Sequence, residues 1–282
     1  MNKQKNIVFM ILLALIAVVI CSPIYFLIEG SLMSSAELKT HLSVIFSGGQ
    51  GYASWRLIPT LFSLKSYEDL LIFSPAFYLM FWNSVKLVFC ILVGQFFIAV
   101  PAAWGFSKGK IPHKNALFNL YIVLMLMPFQ VTMLSNYLTL DSLHLINHQA
   151  SVILPAVFST FPVFIIYRFF CNVPDSVLEA AKMDGASKLQ TFIKMGIPLG
   201  SAGIISAMVL SFLEYWNMIE QPLTFLKDKT LWPLSLYLPN IGLEEAGMAF
   251  VASVITLIPC ILIFISGQEY LELGIAAVAS KE

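Results

Sequence analysis

Charge is scarce in this 282-residue chain: Asp, Glu, Lys and Arg together make up 11% of it, against about 25% in soluble domains. Sixteen basic residues balance sixteen acidic ones, so the chain lacks the basic excess of a nucleic-acid binder, and any partner preference must be local. Cysteine is equally thin. Cys21, Cys90, Cys171 and Cys260 lie far apart, each inside or at the end of an apolar run, which argues against a disulfide framework or a thiolate metal site. The four histidines, His41, His113, His144 and His148, are scattered. There is no HExxH pair and no phosphate-cradling GxxxxGK[ST] loop. No catalytic, cofactor-binding or metal-binding residue is therefore expected. If the chain moves a solute, the energy must come from coupled ions or from a partner.

What the chain has in abundance is apolar sequence, 59% of all residues against about 45–50% in soluble domains. Runs near the roughly 20 residues needed to cross a bilayer fall at about 7–28, 83–106, 116–137, 151–171, 201–220 and 248–267. These predict an all-α, polytopic membrane protein with six transmembrane helices. The first run follows Lys3 and Lys5 as a secretory signal would, but its length and the lack of a small-x-small cleavage site predict a retained helix. An even number of spans puts both termini on one side. With that side cytoplasmic, Lys3, Lys5, Lys108, Lys110, Lys114, Arg168, Lys182, Lys188, Lys194 and Lys281 lie inside. Only Lys39, Arg56, Lys65, Lys227 and Lys229 lie outside, as the positive-inside rule requires. No internal repeat divides residues 1–282, which are expected to form a single transmembrane domain.

Two external segments stand out. Residues 29–82 carry a turn signal, SGGQG, and an amphipathic tail, SYEDLLIFSPAFYLMFW, expected to include a short interfacial helix. Residues 221–246 contain Pro222, Pro233 and Pro239 and cannot form one helix. Within the spans, Pro23, Pro101, Pro128, Pro162 and Pro259 serve either as packing kinks or as breaks beside a water-filled path. Lys86 is expected to snorkel to the headgroups.

Glu214 sits in FLEYWNMIEQPL, where an ionised side chain near the membrane centre costs about 2.5–3.5 kcal/mol, and so should face protein or water. With Tyr215, Trp216 and Asn217 it offers acceptors, donors and aromatic faces suited to a polyhydroxylated solute. The same residues would also serve as an interhelical hydrogen-bond cluster. Gln95 and Gln130 are weaker pathway candidates, as is Asn83. The later spans carry no Lys or Arg at depth, which disfavours an anionic solute.

Between the fourth and fifth spans lies a polar cytoplasmic stretch, EAAKMDGASKLQ, at residues 179–190. Ser176 with Glu179, and Ser187 with Gln190, have the spacing of capping boxes. Pro174 should set off a first helix and Pro198 end a second, with a joint at Asp184–Gly185 where Gly185 is free to take positive φ. Leu178, Ala180 and Ala181 form a small apolar face, suited either to a pocket on another protein or to an ordinary connector.

EAAKMDGASKLQTFIKMGIPL resembles the EAA loop of the inner-membrane permease subunits of ABC importers. Glu179, Ala180, Ala181, Gly185 and Pro198 are in register, Met195 and Ile197 stand at the Ile and Leu positions, and Ala202 stands where a further proline is common. PTLFSLKSYEDLL, MPFQ, LHLIN, ILP, YWNMIEQPL and YLELGIAAVA, in that order, are similar to the shorter of the two paired subunits of maltose-type carbohydrate permeases. A small residue is usual there at the position of Glu214.

The resemblance implies a type I importer fold in the bacterial cytoplasmic (inner) membrane and carriage of a sugar or oligosaccharide. It also implies four kinds of partner: a second homologous permease subunit, a dimer of ABC ATPase subunits that bind the ATP and Mg, an extracytoplasmic sugar-binding protein, and lipid. Glu179, Ala180, Ala181, Asp184 and Gly185, in a loop over about 174–198, would then couple to the ATPase. The alternatives are an ABC permease for another solute, such as a phosphorylated polyol or an amino acid, and a self-contained secondary transporter or membrane scaffold.

Overall fold

The computed structural model describes residues 3–46, 56, 58–237 and 245–279. Along the chain run α1 (Lys3–Leu32), α2 (Ser35–Phe46), α3 (Lys65–Phe73), α4 (Pro75–Lys108), α5 (Lys114–Leu126), α6 (Phe129–Ser142) and α7 (Ala150–Val157). There follow α8 (Thr160–Cys171), α9 (Asp175–Met183), α10 (Lys188–Thr191), α11 (Ile197–Leu199), α12 (Ser201–Trp216), α13 (Glu220–Phe225) and α14 (Ala246–Ala279). Among the described residues there is no strand, only an isolated antiparallel bridge between Met33 and Phe62.

Among the described residues four stretches are long and apolar enough to cross a membrane: Phe9–Leu32, Pro75–Lys108, Ala150–Cys171 and Ala246–Glu272. Two bent pairs, Lys114–Leu126 with Phe129–Ser142 and Lys188–Leu199 with Ser201–Trp216, raise the number to six if each is one span. The predicted third span is thus two helices bent by 100°. Pro128 is the cause: it excludes helical geometry at the residue before it, and Met127 is extended at φ −74°, ψ 119°.

The predicted fifth span ends at Trp216 rather than 220, and a 69° bend precedes it at Gly200. Pro198, expected to end the second helix, stands one residue before that end, which falls at Leu199. A proline in a helix interior removes one bond and clashes with the carbonyl four residues back. The turn ahead of it, Phe192–Gly196, widens to a π-helix, which makes room for the ring. The second span starts at Pro75, a good first helical residue, so the interfacial tail splits into α3 and the start of α4.

The chain divides into two compact units, Met1–Tyr78 with Tyr237–Ile258, and Leu79–Leu236 with Pro259–Glu282. In the first, the Glu37 carboxylate accepts hydrogen bonds from the Thr60 and Leu61 amides at 2.9 and 3.1 Å. These donors hold its carboxyl below the usual carboxylate range. Ser31 and Tyr67 hydroxyls meet at 2.9 Å and tie α1 to α3. The most apolar window of α1 is not buried at all, leaving that face to lipid or another subunit. SGGQG and Pro239 lie outside the described residues.

The second unit is built on α4, α8, α9 and α12, whose core includes Ala99, Val100, Ala103, Val163, Ile166, Phe170, Leu178, Ile204 and Ala207. Small residues let the helices close, as membrane helices require where lipid gives no hydrophobic drive. Trp104 packs edge-on to Phe170 with centroids 5.1 Å apart. The prolines of residues 221–246 leave α13 followed by single 3-10 turns at Lys229–Leu231 and Leu234–Leu236.

Candidate functional site

The polar stretch forms a helix, a sharp joint and a second helix. Gly185 takes φ +79°. The Gly185 amide donates to the Lys182 carbonyl and the Ala186 amide to the Ala181 carbonyl, both at 3.0 Å. This pair of bonds is the Schellman closure of a helix on a left-handed residue. Just beyond, Ser187 and Gln190 form a reciprocal capping box: Gln190 N to Ser187 Oγ at 3.2 Å and Ser187 N to Gln190 Oε1 at 2.9 Å.

The first expected box does not form. Pro174 is extended at ψ 135° and caps the helix itself, so α9 begins at Asp175 and Ser176 is already inside it. The apolar face is also divided differently. Leu178 and Ala181 are buried, with Leu178 in the core described above, while Glu179, Ala180, Asp184, Gly185 and Met183 are exposed. The joint is thus anchored to the bundle on one side and open on the other.

A further clamp holds α9. Lys108, at the end of α4, donates through Nζ to the Val173 carbonyl and to Asp175 Oδ1, both at 2.7 Å. The Lys108 ammonium holds the Asp175 carboxyl below the usual carboxylate range. A depressed carboxylate contributes stability above its ordinary pKa and loses it as pH falls through the lowered value, so the clamp is intact at neutral pH. Asp175→Asn is expected to speed hydrogen exchange in α9 at pH 7 by under about fivefold, since exposed pairs contribute little. It should also abolish the extra exchange seen in the parent chain below about pH 4.

A cavity of about 530 Å³ opens where helices are interrupted. Its wall comes from the ends of α5 and α6 beside Pro128, the break between α7 and α8 at Phe158–Ser159, the end of α12, and α13. Irregular backbone at membrane depth is tolerated where it lines such a space. The polar lining includes Thr132, Asn136, Ser159, Thr160, Glu214, Tyr215 and Gln221.

Of the predicted pathway residues, Glu214 and Tyr215 line the cavity, Glu214 with its side chain exposed and Tyr215 buried. Trp216 turns away, stacked on Phe212 and edge-on to Phe81. Asn217 donates to the Leu213 carbonyl at 2.9 Å, closing the end of α12. Gln95 is fully buried, donating to the Ala156 carbonyl at 2.8 Å, and the Tyr215 hydroxyl reaches the same carbonyl at 3.5 Å. These two side chains satisfy backbone freed by the break between α7 and α8. Gln130 donates to Glu220 at 2.5 Å, joining α6 to α13. Asn83 donates to the Thr230 and Trp232 carbonyls. Thr132, Asn136, Ser159 and Gln221 carry no spacing in the sequence that sets them apart, and only the helix breaks bring them together.

Residues 95–276 match the family described as binding-protein-dependent transport system inner membrane component. The chain belongs to this family. The match takes in the joint, the cavity wall and the core of the second unit, and makes the chain a multi-pass permease of the cytoplasmic membrane. Among its relatives is the arabinooligosaccharides transport system permease protein AraQ of Bacillus subtilis (strain 168), 27% identical over 92% of this chain and 90% of that one. The polygalacturonan/rhamnogalacturonan transport system permease protein YtcP of the same organism is 30% identical over 68% of this chain and 66% of its own length. The sn-glycerol-3-phosphate transport system permease protein UgpE of Escherichia coli (strain K12) is 26% identical over 70% and 72%. The permease fold is that of a chain in the crystal structure of a bacterial ABC transporter involved in the import of the acidic polysaccharide alginate. The two superpose with a TM-score of 0.81 at 21% identity, over 96% of this chain and 98% of that one.

Proposed function

We propose that this permease is the shorter membrane subunit of an ABC importer for a sugar or oligosaccharide, with six spans and both termini in the cytoplasm. It pairs with a second, homologous permease subunit, receives solute from an extracytoplasmic sugar-binding protein, and is driven by two ATPase subunits. ATP and Mg on those subunits supply the energy; this chain contributes no hydrolytic group. The carrying observation is the joint at Gly185: Glu179, Ala180, Asp184 and Gly185 are open to a partner, while Leu178 and Ala181 root the same helix in the bundle. A force applied to the exposed face is passed to α4, α8 and α12 through packed side chains, which deform little. The relatives named for arabinooligosaccharides and for polygalacturonan favour a saccharide over an amino acid.

The test is reconstitution. Proteoliposomes holding this chain, its paired permease, the ATPase and the binding protein are expected to take up radiolabelled oligosaccharide only with internal ATP. Uptake by this chain alone without ATP would point instead to a secondary transporter, and ATP-driven uptake of sn-glycerol-3-phosphate but of no sugar would reassign the solute.

A further inference from the structure

We infer that Glu214 is a charge filter: the cavity passes neutral or amino-bearing sugars and rejects uronates and phosphorylated solutes. The inference rests on the proposed role of this cavity in the solute path. Relatives named for polygalacturonan and for sn-glycerol-3-phosphate, and the alginate importer of the same fold, show that this frame serves anionic solutes elsewhere. The wall decides what it suits here.

Among the described residues lining the cavity Glu214 is the one of formal charge, and its side chain is exposed. The elements that build the wall hold two basic residues, both far from it. Lys114 starts α5, ten residues before Leu124 of the lining, a distance of about 15 Å along a helix, and its ammonium is occupied by the Ser107 carbonyl at 2.8 Å. Arg168 lies near the end of α8, seven residues, or about 10 Å, beyond Phe161 of the lining. The same elements add further acid, Asp141 at the end of α6 and Glu220 on α13. Nothing in the wall offers an anion a counter-charge, while hydroxyl-bearing and amide side chains, Thr132, Ser159, Tyr215, Asn136 and Gln221, offer a neutral saccharide donors and acceptors.

One carboxylate within several ångströms of a solute in a partly wet cavity is enough to separate cations from anions by about tenfold. Labelling of a cysteine placed in the wall tests this without naming the sugar. Thr132→Cys is introduced into the assembled importer with Cys21, Cys90, Cys171 and Cys260 changed to Ala, in nanodiscs. The thiol is then reacted with trimethylammonioethyl or sulfonatoethyl methanethiosulfonate; each forms a mixed disulfide and releases methanesulfinate.

Normalised to a free thiol, the cationic reagent is expected to be favoured about tenfold. The preference should collapse in Glu214→Gln and survive in Glu214→Asp. Labelling without charge preference, or a preference that persists in Glu214→Gln, overturns the filter and leaves sugar import standing. Failure of both reagents to reach the thiol overturns the filter and also removes the cavity from the path.

Discussion

An importer carrying Gly185→Arg is expected to lose more than tenfold in ATP-driven uptake, and its ATPase should no longer respond to the loaded binding protein. Two effects of the substitution can be separated. The first is backbone strain: at φ +79° a residue with a Cβ costs roughly 1–2 kcal/mol. The second is steric and falls outside the chain. A Cβ at Gly185 meets nothing within 4 Å, so the substituted side chain starts in open space on the exposed joint. The loss therefore belongs to docking, and the melting temperature of the purified permease should move by only a few degrees. Gly185→Asn supplies the control, because asparagine tolerates the left-handed region and adds a small side chain; it should keep most of the uptake. Equal stimulation and uptake in Gly185→Arg and the parent would remove the joint from the coupling interface.

The joint also shows which features a sequence discloses. Ser187 with Gln190, and glycine after Asp184, are satisfied by bonds within five residues, so spacing alone predicts the capping box and the positive φ. The Ser176 and Glu179 pair has the same spacing but fails, because Pro174, two residues earlier, takes the N-cap position and leaves Ser176 inside the helix. Leu178 and Ala181, which with Ala180 suit either a partner pocket or a connector by sequence, are buried; for Leu178 this depends on core residues such as Ala99 and Ala103 of α4, far away in the chain, which no local pattern encodes. The third span has a similar history. Its apolar content is visible from composition and Pro128 is visible as the break behind the bend of 100°, but the cavity beside it exists only once α7, α8, α12 and α13 are in place. Glu214 was conspicuous for its charge, whereas Thr132, Asn136, Ser159 and Gln221 become a lining only through that convergence.

The same dependence on distant packing makes Gly203 the position where a small change should do most damage to the fold. Gly203 is buried in α12, and a Cβ there would come within 2.6 Å of the Phe169 Cβ on α8. Phe169 cannot relieve this by a rotamer change, since the clash reaches the atom fixed to its own backbone; the helices themselves must separate. Overpacking of this kind costs about 1–3 kcal/mol, and more as the added side chain grows. Separation also reaches function, because α8 and α12 hold Ile166, Phe170, Ile204 and Ala207 in the core that anchors Leu178 of α9. Gly203→Val is therefore expected to lower the melting temperature of the detergent-solubilised permease by about 5 °C or more, and to weaken its capture by the ATPase subunits although no coupling residue has changed. Gly105→Ala makes the matched control. Its Cβ meets only Ile111 Cδ1 at 3.8 Å, an ordinary contact, and alanine is the better helix former by about 1 kcal/mol, so stability should hold or rise. If Gly203→Val melts with Gly105→Ala, the close approach of α8 and α12 is not what ties the coupling helix to the membrane bundle.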